Sequence, residues 1–170
     1  MMDAYGYIQI STGELLRERV KTPDELGKKL AEIMNAGALV PDELIVSMLE
    51  EQINKLNADN IIFDGFPRNE AQTVVFDTLL QKLGITKLIP IYLHVKEEEL
   101  IRRLLNRAVL EGRSDDNEAT ITKRIQTFHT NTQPVIDHYA QHPNFIQVDG
   151  DDQPAEVVWE ELKKKLNWQK

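Results

Sequence analysis

Eight arginines occur in the 170-residue chain, and five of them, Arg102, Arg103, Arg107, Arg113 and Arg124, fall between positions 102 and 124. Arg103 and Arg107 lie four apart, on one face of a helix. Five residues, Ala108 to Gly112, separate Arg107 from Arg113. Ser114-Asp115-Asp116-Asn117 then caps the helix that carries Arg124. Like charges on two helices meeting at a short loop repel unless an anion sits between them, so polyphosphate is their natural guest. Solvated pairing with Glu97, Glu98 and Glu99 accounts for Arg102 at little energetic gain and explains the other four poorly.

Three further groups stand where strands should end. Asp64-Gly65-Phe66-Pro67-Arg68 follows the most apolar run. Gly65 permits a tight turn, Pro67 stiffens it, and Arg68 offers a fork of donors suited to a phosphate. Asp64 is placed to face a hydrated magnesium ion. Ser11-Thr12-Gly13-Glu14-Leu15-Leu16-Arg17 sets a helix N-terminus, with its free N–H groups, one turn before Arg17. Taken alone it also reads as an ordinary capping box with a solvated arginine. Val148-Asp149-Gly150-Asp151-Asp152 ends the last strand in a loop able to hold a base by its backbone. His94 reads as a core residue of a buried strand, and His129, His138 and His142 as solvated. No Ser-His-Asp order or metal-ligand spacing emerges. Trp159 and Trp168 fit packing or a tail contact.

The elements that position these groups follow from periodicity. Tyr7-Ile8-Gln9-Ile10 is β-like, and Ser11 opens a helix with Glu14 completing its box. Thr22 is the expected cap of a second helix, with Pro23 at its first position. Leu26, Leu30, Ile33 and Met34 give that helix its apolar face, and Asn35-Ala36-Gly37 ends it. Pro41-Asp42-Glu43 opens a third, with Leu44, Ile45, Met48, Leu49 and Ile53 inward. Residues 60–64 and 88–95 read as strands buried on both faces. Residues 70–83 and 97–110 read as helices, and 118–141 as a long helix that Pro134 should bend. A strand over 144–148 and a helix over 154–166 complete the chain. Alternating strands and helices define a single α/β domain, three-layered, with a mostly parallel sheet. Ligands bind such sheets beyond the strands' C-terminal ends.

Composition bounds the function. Twenty Lys and Arg against 28 Asp and Glu give a net charge of −8, which argues against a general nucleic-acid binder. There is no cysteine, hence no disulfide scaffold and no Cys-ligated zinc. No apolar run approaches the ~20 residues of a membrane span, and no leader pattern is visible. A cytoplasmic protein without membrane contact is the expectation.

Together these stretches resemble the adenylate kinase family of nucleoside monophosphate kinases, from about Tyr5 to Leu166. The carrying motifs are Ile10-Ser11-Thr12-Gly13-Glu14-Leu15-Leu16-Arg17, Gly37-Ala38-Leu39-Val40-Pro41-Asp42-Glu43-Leu44, Asp64-Gly65-Phe66-Pro67-Arg68 with a downstream Gln, and Gly112-Arg113-Ser114-Asp115-Asp116-Asn117. The resemblance implies transfer of the terminal phosphoryl of MgATP to AMP. It implies that Thr12, Arg17, the main chain of Ala38, Leu39 and Val40, the turn Gly65, Phe66, Pro67 and Arg68, and Gln72 hold AMP, with Gln72 at the adenine edge. Arg103 and Arg107 would face ATP, and Arg113 and Arg124 would bridge both nucleotides at the transferring phosphate. Asp64 would orient Mg2+ through water, and the loop at Asp151-Asp152 would line the ATP base. Residues 11–42 correspond to the AMP-binding helical subdomain and 107–113 to a short lid. Thr12 favours AMP over UMP or CMP, because pyrimidine-type relatives usually carry Ala there; Asn69 is also seen in those relatives.

The family opens on a strand, a glycine-rich phosphate loop and a helix. No G-x-x-x-x-G-K-[ST] occurs in these 170 residues. By the same resemblance that strand is the middle of five, so a gap is expected between the second and third strands. Unpaired backbone there costs commonly ~1–3 kcal/mol per group, and the exposed edge invites pairing. Three alternatives follow: a full kinase of which this is a shortened form, an inactive AMP-binding module, and a fragment completed by an oligomer or strand-donating partner.

Overall fold

The structure is a computed structural model and describes residues 6–56, 60–113 and 115–167. Trp168 and Ser114 lie outside the described residues. The first strand, β1 (Ile8–Ser11), leads into α1 (Thr12–Val20), α2 (Glu25–Asn35) and α3 (Asp42–Leu56). Then come β2 (Ile61–Asp64), α4 (Glu70–Lys82), β3 (Ile91–His94) and α5 (Glu97–Glu111). The last part runs α6 (Glu118–Thr127), a π turn (Phe128–Thr132), α7 (Gln133–Tyr139), β4 (Ile146–Asp149) and α8 (Ala155–Lys165). This is the expected α/β architecture of parallel strands with flanking helices.

The strands form two parallel pairs. β1 lies beside β2 with Ile8 opposite Ile61 and Ser11 opposite Asp64. β3 lies beside β4 with Ile91 opposite Ile146 and His94 opposite Asp149. Between the pairs, at the position expected for a gap, is a cavity of about 850 Å³. Ile61, Phe63, Ile91 and Tyr92 line it from the two facing strands, and Phe76 and Tyr139 line it from α4 and α7.

The gap explains where the strands depart from expectation. Residues 61–63 of β2 are only half-buried, and Ile91 and Leu93 of β3 are 40% and 52% exposed. They are therefore not buried on both faces, and β3 is shorter than the apolar run over 88–95. Among the described residues neither β2 nor β3 has a strand on its second edge, so none extends the ladder or covers the side chains there. His94 likewise is not a core residue: its ring is 43% exposed, with Nδ1 3.7 Å from Asp149.

The main core lies on the other side of the gap. Ile10, Leu16, Leu30, Val40, Ile45, Leu49, Ile53, Phe66, Phe76, Leu79 and Leu80 form one buried cluster joining β1 to α1–α4. The apolar faces of α2 and α3 fall where their spacing places them. The cap of α2 does not. Asp24, not Thr22, accepts from the Gly27 N–H at 2.8 Å, and the helix starts two residues late. Arg19 also grips Asp24 with two nitrogens, at 3.0 and 2.8 Å, fixing the carboxylate at that helix end. Ser11 precedes α1 as the cap residue, but its side chain makes no capping bond, because it is also the last residue of β1.

Proline governs the long C-terminal helix. Pro134 lacks the N–H that would bond the Thr130 carbonyl, and its ring crowds that carbonyl. The helix widens just before it, and the Gln133 N–H reaches back to the Phe128 carbonyl. The expected bend is thus a π turn.

Candidate functional site

The Asp64–Arg68 turn is built around Gly65. Its φ is +77°, a region that disfavours side chains, and a Cβ there would stand 2.7 Å from Arg68 Nη2 and 2.9 Å from Thr12 Oγ1. Only glycine lets both groups approach. The Gly65 carbonyl accepts from Thr12 Oγ1 at 2.9 Å and from Arg68 Nε at 2.7 Å. This one oxygen sets the reach of both side chains. The register of β1 beside β2 explains the meeting, since Ser11 stands opposite Asp64.

Arg68 keeps solvent-accessible surface while protein surrounds most of it, as a group on the floor of an open cleft does. Desolvation holds its guanidinium below the ordinary value, and the charges of Arg124 and Arg17 press the same way while Asp64 opposes them. Arg17 folds back over its own helix, with Nη1 3.2 Å from where a Cβ on Gly13 would sit. Among the described residues, neither Arg17 nor Arg68 has a carboxylate within ion-pair distance. Three cations thus share one cleft, and among the described residues two of them have no direct ion pair. That is an electrostatic vacancy for an anion.

Gln72 lies behind this turn, 3% exposed. Its Oε1 accepts from the Arg68 N–H at 2.7 Å, and its Nε2 donates to Asp42 Oδ1 at 2.7 Å. Asn69 caps α4 through the Gln72 N–H at 2.7 Å and donates to the same Asp42 oxygen at 3.0 Å. Val40 is buried in the core, while Ala38 is exposed and Leu39 half-buried. Helix α6 braces this loop: Thr120 Oγ1 donates to the Asn35 carbonyl at 3.0 Å. Gly37, at φ +68°, leaves the Thr120 carbonyl room to approach.

The second arginine group is tied differently. Arg107 grips Asp116 with Nε at 2.7 Å and Nη2 at 2.9 Å. Arg124 Nη1 donates to the same carboxylate at 2.6 Å, and its Nη2 to Asp115. The Asp116 side chain is fully buried. The hydrogen bond to Asp116 raises the Arg107 guanidinium above its usual value, against the cost of burial. Burial alone would raise the Asp115 carboxyl, but its bond to Arg124, with the charges of Arg124 and Arg113, leaves it below the usual range. Arg113 pairs with Glu111 at 2.6 Å. The anions between these arginines are therefore the chain's own. Asp115 and Asp116 read as a helix cap in the sequence; Asn117 alone caps α6, through the Thr120 N–H at 3.0 Å. Two adjacent acids, Asp115 and Asp116, one residue beyond Arg113, were the available signal.

Arg102 and Arg103 both bond Glu99, at 2.6 and 2.5 Å. The two guanidinium groups hold that carboxyl below its ordinary value, Arg102 first. Helix pairing therefore covers Arg103 as well as Arg102, which the sequence reading did not expect. Arg103 Nη2 also donates to the Gly150 carbonyl at 2.6 Å. Lys96 holds the neighbouring Asp151 at 2.5 Å. These ties pin the 149–152 loop, where Asp152 is exposed with φ +48°. Asp64 is exposed at the tip of β2 and accepts from Gln9 Nε2 at 3.0 Å. Among the described residues no cluster of three or more acids or histidines could cage a metal by itself.

Parallel strands under helices, with cations gathered beyond the strand tips, define a phosphate-handling α/β protein. The comparisons agree. A family profile described as adenylate kinase matches residues 1–144. An adenylate kinase of Thermus thermophilus is 42% identical over 152 residues, covering 89% of this chain and 80% of the relative. One of Porphyromonas gingivalis is 47% identical over 138 residues, covering 81% and 71%. One of Parabacteroides distasonis is 40% identical over 164 residues, covering 96% and 86%. The chain belongs to the adenylate kinase family, a class of phosphotransferases acting between ATP and AMP.

Proposed function

We propose that this protein transfers the terminal phosphoryl of MgATP to AMP in the cytoplasm, giving two ADP. The convergence of Arg17, Arg68 and Arg124 in one cleft, the first two without a direct ion pair among the described residues, carries this reading. Thr12, Arg17, the 38–40 main chain, Arg68 and Gln72 hold AMP. Arg107 takes the ATP phosphates, while Arg113 and Arg124 bridge to the transferring group. For Arg107 and Arg124 this means exchanging Asp115 and Asp116 for phosphate oxygens. Such chemistry is positioning and charge stabilisation, with no side-chain nucleophile.

Asp64 suits Mg2+: one exposed carboxylate at a strand tip fits an ion held mostly by water and substrate phosphates. Bound with ATP, such an ion would supply positive charge to the phosphates, with Asp64 orienting it through water. Residues 11–42 act as the AMP-side subdomain and 107–113 as the short lid. Val109 and Leu110, within that lid, are 82% and 75% exposed, as a segment that packs only on closure would be.

The cavity between β2 and β3 supports a second element of the proposal. Two strand edges face it, and its walls carry apolar side chains beside exposed polar groups. A parallel strand inserted there would join both pairs into one sheet, and a glycine-rich loop after it would reach the ATP phosphates. Phosphoryl transfer therefore waits on such a strand and loop, whether in a longer form of the chain or from a partner, while AMP binding does not.

Calorimetry with AMP and a coupled assay with MgATP and AMP test the two parts separately. Saturable AMP binding is expected, and its absence overturns the AMP site. Negligible transfer is expected from these 170 residues, rising when a peptide bearing an apolar strand, a glycine-rich loop and a lysine is added. Ordinary turnover without the peptide overturns the strand requirement.

A further inference from the structure

Asp42 has no role in the scheme above, yet it is the residue that decides which way round the Gln72 amide sits. Both ends of that amide are fixed by partners that cannot change sides. The nitrogen end donates to Asp42 Oδ1 at 2.7 Å, and a carboxylate only accepts. The oxygen end accepts from the Arg68 N–H at 2.7 Å, and a backbone N–H only donates. Turning the amide over would set oxygen against carboxylate and NH₂ against N–H, two repulsions in a buried site. Asn69 reinforces the arrangement. Its own amide donates to Asp42 Oδ1 at 3.0 Å while its oxygen caps the helix at the Gln72 N–H.

Each end of the amide keeps one unused valence. The nitrogen has a second hydrogen and the oxygen a second lone pair. The amide therefore presents donor and acceptor in one fixed order. An amino base offers the matching pair, a ring nitrogen that accepts and an exocyclic amine that donates. A 6-oxopurine offers the reverse, a ring N–H and a carbonyl, and fits only the turned amide.

We infer that Asp42 is a specificity-determining positioning residue: by locking the Gln72 amide it selects 6-amino over 6-oxo purine monophosphates. This rests on the reading that Gln72 meets the base edge. The same logic places cytosine with adenine, and uracil with hypoxanthine. Asn69 and Thr12 then do not decide between amino and oxo bases; Asp42 does, through hydrogen-bond order.

The test is calorimetry of AMP and IMP against the full chain and its Asp42→Asn variant. Asn at 42 can accept from or donate to Gln72, so it removes one of the two repulsions that oppose the turned amide, at nearly the same volume, and leaves the Arg68 N–H as the remaining one. The unchanged chain is expected to prefer AMP by about 100-fold or more, since a site built around hydrogen bonds rejects a ligand that leaves its polar groups mispaired. Asp42→Asn is expected to reduce that preference at least tenfold, mainly by tightening IMP. Asp42→Glu, which can only accept, is expected to keep the preference. Equal loss of affinity for both nucleotides in Asp42→Asn gives Asp42 a merely structural role and overturns the inference. So does equal binding of AMP and IMP by the unchanged chain. Failure of the unchanged chain to bind AMP at all is a separate result, which overturns the AMP site itself.

Discussion

Arg68 and Arg124 stand close enough for their charges to interact but are held in opposite ways. Arg68 is anchored by a backbone carbonyl, a neutral partner that fixes its direction and leaves its charge unspent. Arg124 is anchored by Asp115 and Asp116, which spend its charge before any ligand arrives. The first arrangement is costly in the empty protein, because a desolvated cation faces two others. It is correspondingly ready for an anion. The second stabilises the empty protein and must be partly undone for phosphate to bind. On the proposed reading, one cleft therefore holds a preformed anion site beside a latent one.

The sharpest way to break this contrast is to remove each arginine in turn. Arg68→Ala is expected to weaken AMP binding by about 10²–10³-fold, the loss typical of a preorganised charge donor. Arg124→Ala should cost nearer tenfold, because the native bonds it gives up offset part of what it gains. Equal losses in calorimetry would abolish the distinction. Stability should rank the other way. Asp116→Asn strips the shared carboxylate from Arg107 and Arg124, whose side chains are 33% and 28% exposed. Water can solvate them in part, so the expected loss is about 2 kcal/mol, below the cost of breaking a fully buried pair. Arg68→Ala should leave stability within about 0.5 kcal/mol, as removing a strained surface cation does. Urea unfolding of the two variants checks the inversion.

The contrast also marks how far the sequence could be read. Asp64-Gly65-Phe66-Pro67-Arg68 is legible because each residue acts locally: strand tip, turn, fork of donors. The apolar faces of α2 and α3 are legible because periodicity is local too. What the arginines at 107 and 124 touch is not, since charge density alone does not say whether a ligand or a neighbouring acid supplies the counter-charge. The same holds for Asp42, twenty-seven residues from Asn69 in sequence but hydrogen-bonded to it. Strand burial failed for a different reason. A run such as Ile61-Ile62-Phe63 describes the sheet the residues would suit, and here one edge of that sheet is open.

Acid should separate the two regions again. Asp115 has a folded-state value below the usual carboxylate range, so in acid the unfolded chain takes up its proton first. The stability it contributes is complete above about pH 4, the ordinary unfolded value. It is lost as pH falls through the lowered folded value. Asp115→Asn is therefore expected to make stability fall less steeply on the acid side, in urea titrations between about pH 5 and 2.5. Glu99, Asp24 and Asp151 are lowered in the same sense, so the difference between variant and unchanged chain isolates Asp115. A variant with an unaltered acid limb would mean that the pairing with Arg124 stores no stability.

The smallest expected effect concerns how Arg68 is aimed from behind. The π turn places Thr132 Oγ1 2.9 Å from the Arg68 carbonyl, a bond across 64 residues of sequence. That carbonyl belongs to the residue whose N–H orders Gln72 and whose Nε meets Gly65. Thr132 thus braces the backbone of the preformed site from the helix that bears Arg124. Thr132→Val keeps the shape and removes the donor, at an expected cost of about 1 kcal/mol, or roughly fivefold in AMP affinity. Thr132→Ser should recover most of it. If valine weakens AMP binding no more than serine does, the turn accommodates Pro134 and nothing else, and the preformed half of the cleft owes its geometry to Gly65 alone.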